Sequence, residues 1–261
     1  MKVQYKAALS ADGNTRASVT TGIEADSFAK SVTALLDRVE YRRCETGEDL
    51  EAIYRLRYDS YRATGMVADA ASRMVVDEYD ELANSYRFAV FIDGELVSTI
   101  RLHHVSAEHP RSPSMTVFGD ELLPRLQAGE TFIDPSRFAA DLQVSKQLRV
   151  LPYLTIRLAV VACFYFNPTR CLSAIKEEHA AFYKRIFNAK QTLPSRLYPG
   201  LTMPVFLYES HPKEIADNTL RRFPFFRSTA AEQRMLFARP GQGELAPLTI
   251  LPTAKYHRPA A

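Results

Sequence analysis

The sequence predicts a mixed α/β sandwich, and three observations lead to this class. Predicted strands alternate with predicted helices along most of the 261 residues. The dipeptide Asp93-Gly94 is typical of a type I′ turn and predicts an early antiparallel hairpin. The apolar run 151–166 predicts a buried helix; it contains Arg157 and is too short for a membrane span, so no transmembrane segment is expected.

Capping residues, hydrophobic periodicity and turn signals give the order of the elements. The stretch 47–64 begins with an acidic first turn, which suits the positive end of a helix dipole. The predicted helices are 26–39, 47–64, 118–126, 149–166, 177–189 and 211–223, and the predicted strands are 40–46, 86–92, 95–105, 131–141, 171–176 and 201–209.

The chain is expected to form one domain between two extensions. Residues 1–24 are rich in Ser, Thr and Ala and predict a flexible N-terminal arm, residues 25–225 the domain, and residues 226–261 a Pro-rich C-terminal extension. The first residues contain no apolar segment of a secretory signal.

Composition favours a soluble globular protein, with 46% hydrophobic and 24% charged residues. The three cysteines, Cys44, Cys163 and Cys171, are odd in number and lack CxxC spacing. They argue against a disulfide framework and against a zinc site, and they fit a reducing, cytoplasmic location. No bound metal or cofactor is expected.

The net charge of +3 is unevenly distributed. Residues 45–95 contain twelve Asp or Glu and five Lys or Arg, whereas residues 142–200 contain nine Lys or Arg and two Asp or Glu. The basic segment is either a solvated face or a docking surface for an acidic partner. Nucleic acid is not favoured, because no dense basic run or nucleic-acid motif is present.

Several charged residues fall at positions that should face inward. Arg57 lies on the apolar stripe of the helix 47–64. A two-residue hairpin turn would pair Phe88 with Thr99 and Tyr86 with Arg101, so that Arg101 shares a face with apolar side chains. These arginines need acidic partners, and a buried network of this kind is either structural or part of a polar substrate site.

Further charged residues lie in VVDEYDEL (75–82), which contains Asp77 and Asp80, and in TFIDPSRFAAD (131–141). On a flat strand Asp134 and Arg137 point to opposite faces. They can share a cleft only if the strand is bulged or ends between them, and Pro135 is where we expect that interruption.

Five motifs resemble, in order and spacing, those of the acyl-homoserine lactone autoinducer synthases. The motifs are RLRYDSY (55–61), VVDEYDEL (75–82), ELVSTIRL (95–102), FGDEL (118–122) and DPSRF (134–138). They are more similar still to the related N-acyl amino acid synthases. The resemblance covers about residues 45–210. It implies a GNAT-like acyltransferase, an α/β/α sandwich with a V-shaped split in the central sheet.

The resemblance also implies a set of site residues. Its catalytic cleft would contain Arg57, Asp77, Asp80, Arg101 and Arg137, with Asp134 as the candidate base, directly or through water. The family usually has Glu at the position of Asp134, and the shorter side chain would lie further from a substrate amine. The expected substrate contacts are Phe88, Ser136 and Phe138.

The expected acyl donor is acyl-phosphopantetheine on acyl carrier protein. QLRVLPYLT (147–155) lies where coenzyme A-dependent relatives have a glycine-rich pyrophosphate loop, but it contains no glycine. Carrier proteins are acidic, and the basic segment offers complementary charge. The expected docking residues are Lys146, Arg149, Lys184, Arg185 and Lys190, with Arg157 as a weaker candidate because its place in the apolar run favours an inward orientation.

Three functions stay open at this point. The first is amide formation between a long-chain acyl group and an amino acid. It is favoured over the second, acyl-homoserine lactone synthesis from S-adenosylmethionine, by the extensions at both ends and by the absence of tryptophan. The third is a non-catalytic module that binds acyl groups or carrier protein. The acceptor amino acid, the acyl length and the oligomeric state are not predicted.

Overall fold

A computed structural model describes residues 27–45, 47–198, 201–239, 241 and 247–256. The predicted N-terminal arm, 1–24, lies outside the described residues. The helices are α1 (27–35), α2 (Gly47–Ala63), α3 (Pro113–Val117), α4 (Gly119–Gln127), α5 (Leu142–Gln147), α6 (Leu151–Phe166), α7 (Ala180–Phe187), α8 (Pro212–Glu214), α9 (Leu220–Arg222) and α10 (Ala230–Phe237). Short 3₁₀ helices cover Leu36–Arg38, Glu78–Glu81, Glu177–His179, Pro224–Phe226 and Ala254–Tyr256, and a π-helix, Ile215–Thr219, joins α8 to α9.

Seven strands form one mixed sheet in the order β1-β2-β3-β4-β5-β7-β6. Every neighbouring pair is antiparallel except β4 and β5, which are parallel. The predicted mixed α/β class is therefore confirmed. The strands are β1 (Val39–Arg43), β2 (Ser85–Ile92), β3 (Glu95–Val105), β4 (Phe132–Ala140), β5 (Arg170–Ile175), β6 (Lys190–Leu197) and β7 (Pro204–Ser210).

The sheet splits between its two parallel strands. Phe132 pairs with Arg170 and Ile133 pairs with Cys171, and beyond these two pairs β4 and β5 separate. From Asp134 onwards β4 is paired with β3 alone among the described strands. This gives the sheet the V-shaped opening that the resemblance implies.

Helices cover both faces of the sheet. Along β3, Ile100 and Leu102 point into the main core, which α6 fills with side chains buried from Leu151 to Cys163 except Pro152. Because alternate residues of a strand face opposite ways, Arg101 points to the other face, where α2 packs against β3 and β4. Among the described helices, none is long and apolar enough to cross a membrane.

The C-terminal segment belongs to this core. Phe226, Leu236, Phe237 and Ile250 are buried in the main cluster, and Ile250 also forms a bridge with Tyr41 of β1. The predicted extension 226–261 therefore contains core residues as far as Ala254, and its Pro-rich composition did not reveal the helix α10.

Two local predictions were wrong. The hairpin carries a bulge between Val90 and Phe91, so Arg101 lies opposite Arg87 and Phe88 lies opposite Ile100. A bulge adds one residue to one strand, and the spacing of a two-residue turn cannot reveal it. The second error is the omission of β6, an exposed edge strand whose polar sequence, KQTLPSRL, lacks strand periodicity.

Candidate active site

Five charged side chains form a continuous ladder in which guanidinium and carboxylate groups alternate. Arg57 Nη1 donates to both oxygens of Asp80, at 2.9 and 3.1 Å. Arg101 Nη1 lies 2.9 Å from Asp80 Oδ2 and 2.5 Å from Asp77 Oδ1. Arg137 donates to Asp77 Oδ2 from Nε at 3.0 Å and from Nη2 at 2.5 Å. The structure thus brings together the five charged residues that the family resemblance implies for the cleft, and we call them the charged ladder.

Local structure fixes the two carboxylates of the ladder. Asp77 precedes the 3₁₀ helix and accepts a hydrogen bond from Tyr79 N at 3.0 Å, while Asp80 accepts one from Asp77 N at 3.2 Å. This reciprocal capping box satisfies backbone donors at the start of the helix. It leaves the carboxylates facing the guanidinium groups of α2 and β3.

A bulge in β4 turns Arg137 towards the ladder. In the pairing with β3, Arg137 and Phe138 together lie opposite the single residue Ile100, and Arg137 has a φ of 52°. The extra residue reverses the alternation of the strand, so Arg137 can reach Asp77. The predicted irregularity is present, but the bulge lies at Arg137, whereas Pro135 stays paired with β3.

Charge and burial have opposite effects on Asp77. Partial burial acts against the charged carboxylate, but the hydrogen bonds and charges of Arg101, together with the charge of Arg137, hold the pKa of Asp77 well below its ordinary value. Asp77 therefore stays ionised at neutral pH. Removing one member of such a buried pair costs about 3–5 kcal/mol, because the remaining charge loses its partner.

Asp134 lies beneath the ladder and not in the open cleft. Its two oxygens accept hydrogen bonds from Ser114 N at 2.9 Å and from Ser114 Oγ at 2.7 Å. Burial raises the pKa of the Asp134 carboxyl, against the hydrogen bonds of Ser112 and Ser114. Asp134 holds α3 against β4, and a proton could reach it only through a relay.

His103 is a buried neighbour of the ladder. It lies opposite Asp134 in the strand pairing, and its Nε2 is 3.0 Å from the carbonyl oxygen of Tyr79. Burial, with the charge of Arg101, lowers the pKa of His103 to about 3. The folded protein therefore keeps this imidazole neutral.

We expect His103 to make the stability depend on pH. Between about pH 3 and the ordinary pKa of 6.5, the unfolded chain binds a proton at His103 that the folded chain does not. The free energy of unfolding should therefore fall as the pH decreases below about 6.5, by up to about 1.4 kcal/mol per pH unit. Urea unfolding between about pH 7 and about pH 5 should show a shallower dependence for His103→Gln than for the wild type. Equal slopes would contradict this assignment.

A cavity of about 490 Å³ occupies the split between β4 and β5. Residues of β4 from Pro135 to Ala140 form one wall, and residues of β5 from Ser173 to Ile175 form the other. Arg137 lines this cavity and is the one member of the charged ladder that does so among the described residues. It therefore joins the ladder to the cavity.

The predicted substrate contacts are divided between the cavity and the core. Ser136 and Phe138 line the cavity, and Ser136 Oγ also accepts a hydrogen bond from Arg101 Nε at 3.1 Å. Phe88 does not line it; the ring is fully buried and packs against Phe237 at 5.5 Å between centroids. Because the hairpin bulge changes the register, Phe88 faces the core side of the sheet, and we leave it out of the site.

Two tyrosines in the cavity wall were missed by the sequence interpretation. Tyr61 follows Arg57 by one helical turn on the same face of α2, and its hydroxyl donates to Phe138 O at 3.2 Å. The spacing on α2 was a signal for Tyr61. Tyr198 follows β6, a strand that was not predicted, so nothing in the pattern placed it here.

The expected docking residues are exposed, apart from Arg157. Lys146 and Arg149 precede α6, Lys184 and Arg185 lie on α7, and Lys190 begins β6. Arg185 Nη2 donates to the hydroxyl of Tyr153 on α6 at 3.1 Å, which shows that α7 lies beside the start of α6.

Arg157 is fully buried and belongs to a different network. Its Nε donates to Phe225 O at 2.8 Å, and its Nη2 donates to Glu232 Oε2 at 3.0 Å. Glu232 in turn accepts hydrogen bonds from Thr253 N at 2.9 Å and Thr253 Oγ1 at 2.5 Å. Arg157 therefore connects α6 to the C-terminal segment, and its assignment to the docking surface was wrong.

The start of α6 lies at the cavity, but few of its backbone N–H groups are free to bind an anion. Leu151 N donates to Leu148 O at 3.0 Å, and Tyr153 N donates to Val150 O at 3.0 Å. Pro152, between them, has no N–H and lines the cavity. The amides that could bind an anion at a helix start are therefore already used or missing.

The chain matches a protein-family model. The family model described as N-acyl amino acid synthase FeeM matches residues 52–211, a stretch that contains the charged ladder and both walls of the cavity. No curated protein sequence matches the chain.

Solved structures are similar in fold. The structure of FeeM, an N-acyl amino acid synthase from uncultured soil microbes, has 18% identity and a TM-score of 0.58, over 71% of this chain and 97% of that one. The acyl-homoserine lactone synthase LasI has 17% identity and a TM-score of 0.48, over 66% and 88%. An acyl-CoA N-acyltransferase from Pseudomonas aeruginosa has 14% identity and a TM-score of 0.44, over 66% and 97%. The predicted GNAT-like fold is confirmed. The chain belongs to the family of the N-acyl amino acid synthase FeeM, and the members of this family are acyltransferases.

Proposed function

We propose that the protein transfers a long-chain acyl group from acyl carrier protein to the amino group of an amino acid. The observation that supports this proposal most strongly is the cavity in the sheet split. The cavity has largely apolar walls and contacts the charged ladder at Arg137. An acyl thioester fits the apolar part, and a polar acceptor fits the part next to the ladder.

The acyl chain would lie between the strands and the helices α6 and α7. The apolar lining there includes Ile156, Phe182, Tyr183 and Pro135. A second space of about 20 Å³ shares Ile156 and Tyr183 with the main cavity and lies deeper in the same core. Burial of the acyl chain along this path stabilises the complex by about 0.8 kcal/mol per methylene group.

The reaction forms one bond and breaks another at the thioester carbonyl. The neutral amine attacks the carbonyl carbon, the C–N bond forms, the C–S bond breaks, and the carrier thiol and an amide are released. Backbone N–H groups of β4 beyond Ile133, where β5 no longer pairs, are the candidate donors to the tetrahedral oxyanion.

The proton of the amine needs a route out of the cavity. Asp134 does not line it, and both of its oxygens are bonded to Ser114. Water in the cavity therefore takes the proton first, and in our proposal Asp134 holds it until it returns through the water to the leaving thiolate. The raised pKa of Asp134 makes the ionised carboxylate a stronger base than an exposed aspartate.

The start of α6 supports a carrier-protein donor over a nucleotide thioester. Coenzyme A would place a pyrophosphate near this helix start, and the amides of Leu151 and Tyr153 are already bonded to carbonyl groups. Phosphopantetheine on a protein has no such pyrophosphate. We also place the reaction in the cytoplasm, since Cys44, Cys163 and Cys171 are free thiols.

We expect the basic residues around the start of α6 to bind the acidic carrier protein. The triple variant Arg149→Glu, Lys184→Glu and Arg185→Glu should raise the KM for acyl carrier protein at least about 10-fold at low salt. The difference should shrink as ionic strength rises. The activity with a short acyl-pantetheine donor should change little.

A matched triple variant tests whether position or total charge matters. Arg38, Arg55 and Arg73 are exposed and lie far from the start of α6 in the sequence. Their reversal to Glu makes the same change in net charge and should leave the KM for acyl carrier protein unchanged. An equal KM in both triple variants would remove the docking surface from our proposal.

The product identifies the function. The protein is incubated with acyl carrier proteins of several chain lengths, an amino-acid mixture and S-adenosylmethionine, and the lipids are analysed by mass spectrometry. We expect an N-acyl amino acid. An acyl-homoserine lactone would replace our proposal with lactone synthesis, and the absence of any product with retained carrier binding would indicate a binding module.

A further inference from the structure

One donor of Arg137 has no partner within the described part of the chain. Its Nε and Nη2 both donate to Asp77 Oδ2, but no acceptor binds Nη1. The side chain is only 7% exposed, and it lines the cavity at the sheet split. A cationic donor that lines the cavity without an acceptor of its own suits a ligand that supplies one.

The charge of the ladder has the same implication. It contains three guanidinium groups and two carboxylates, so one positive charge is not compensated within it. Arg57 and Arg101 are fully buried and face Asp77 and Asp80. Arg137 is the member that meets the cavity, so an anion in the cavity would complete the alternation at its end.

A neutral donor lies beside Arg137. Tyr198 lines the cavity, and its hydroxyl makes no hydrogen bond among the residues that the structure covers. Burial raises the pKa of Tyr198, with a further contribution from the charge of Asp134, so the phenol stays protonated. Its O–H can therefore donate to an anion.

We propose that Arg137 Nη1 and the Tyr198 hydroxyl bind the α-carboxylate of the acceptor amino acid. The inference rests on the proposed function and names the part of the acceptor that this site recognises. The amine and the carboxylate of an α-amino acid share one carbon atom. A carboxylate fixed at Arg137 therefore holds the amine beside β4 at the split, next to the thioester carbonyl.

A pair of substrates tests the inference without changing the protein. The amino acid acylated from a mixture of the standard α-amino acids is compared with its own α-carboxamide, which has the same side chain and an amine but no negative charge. We expect kcat/KM for the carboxamide to be about 10- to 100-fold lower, because a charge-assisted hydrogen bond is lost.

Two variants then test whether Arg137 and Tyr198 cause the discrimination between the amino acid and its carboxamide. In Arg137→Gln the ratio between acid and carboxamide should fall to near one, which a merely structural role for Arg137 would not produce. Tyr198→Phe keeps the ladder intact and should raise the KM for the amino acid about 5-fold with a smaller change in kcat.

The outcomes separate the two levels of the proposal. Equal acylation of acid and carboxamide by the wild type would overturn carboxylate binding and leave the acyltransferase proposal standing. An unchanged ratio in Tyr198→Phe together with unchanged KM would overturn the role of Tyr198. If neither compound is acylated while acyl carrier protein is bound, the proposed function fails and the inference fails with it.

Discussion

Replacement of Arg101 by alanine is expected to lower kcat/KM at least about 100-fold and to destabilise the protein by about 3–5 kcal/mol. Arg101 is fully buried and binds Asp77, Asp80 and Ser136 at once. Its loss leaves the buried carboxylate of Asp80 and the partly buried carboxylate of Asp77 facing each other, and it removes the support of Arg137 through Asp77. Steady-state kinetics and urea unfolding measure the two effects separately.

Arg38→Ala is the control for this variant. Arg38 also contacts an aspartate of the same hairpin, Asp93, but that pair is exposed to solvent. We expect a change of at most about 1 kcal/mol in the free energy of unfolding and no change in kcat/KM. Near wild-type activity in folded Arg101→Ala would mean that the charged ladder is not part of the active site.

Replacement of Glu232 by alanine is the second substitution with a large expected effect, and this effect is a loss of stability. Glu232→Ala leaves Arg157 buried without its carboxylate and frees Thr253 from its acceptor. We expect the free energy of unfolding to fall by about 3–5 kcal/mol. Because Arg157 connects α6 to the C-terminal segment, this segment should also become sensitive to proteolysis.

Two further variants separate the loss of charge pairing from the loss of packing. The double variant Arg157→Met and Glu232→Leu removes both charges and should recover part of the stability lost in Glu232→Ala. Lys255→Ala removes an exposed contact with Asp37 in the same C-terminal region and should change stability by at most about 1 kcal/mol. If Glu232→Ala is no less stable than Lys255→Ala, the buried pair does not hold this segment.

Periodicity and turn chemistry were sufficient for most of the fold. Arg57 at an apolar stripe position predicted an inward guanidinium, and the structure places it against Asp80. The Asp93-Gly94 turn was found where predicted. The bulge between Val90 and Phe91 was not predicted, because one extra residue leaves no mark in the pattern of apolar residues. The prediction of which sheet face Phe88 occupies was therefore wrong.

Long-range pairing was the part that local patterns could not supply. Arg157 lies in an apolar helix, and its partner Glu232 comes 75 residues later in a segment that reads as a tail. Tyr198 lines the cavity, although it follows the polar edge strand β6, whose sequence does not predict a strand. The bulge at Arg137 was suggested by the conflict between Asp134 and Arg137 on a flat strand, and it was found two residues beyond the expected Pro135.

The central claim is that the split between β4 and β5 holds the acyl thioester, and one pair of phenylalanine substitutions tests it most directly. Ser173 on β5 lines both the main cavity and the smaller space, so Ser173→Phe would fill the acyl path. Ser195 is an exposed residue of β6 in the same sheet, and Ser195→Phe is the matched control. The rate of N-acyl amino acid formation from acyl carrier protein is measured for both, with the melting temperature as a check of folding. We predict that folded Ser173→Phe loses at least about 90% of the wild-type rate while Ser195→Phe retains it; equal rates in the two folded variants would contradict an acyl site in the split.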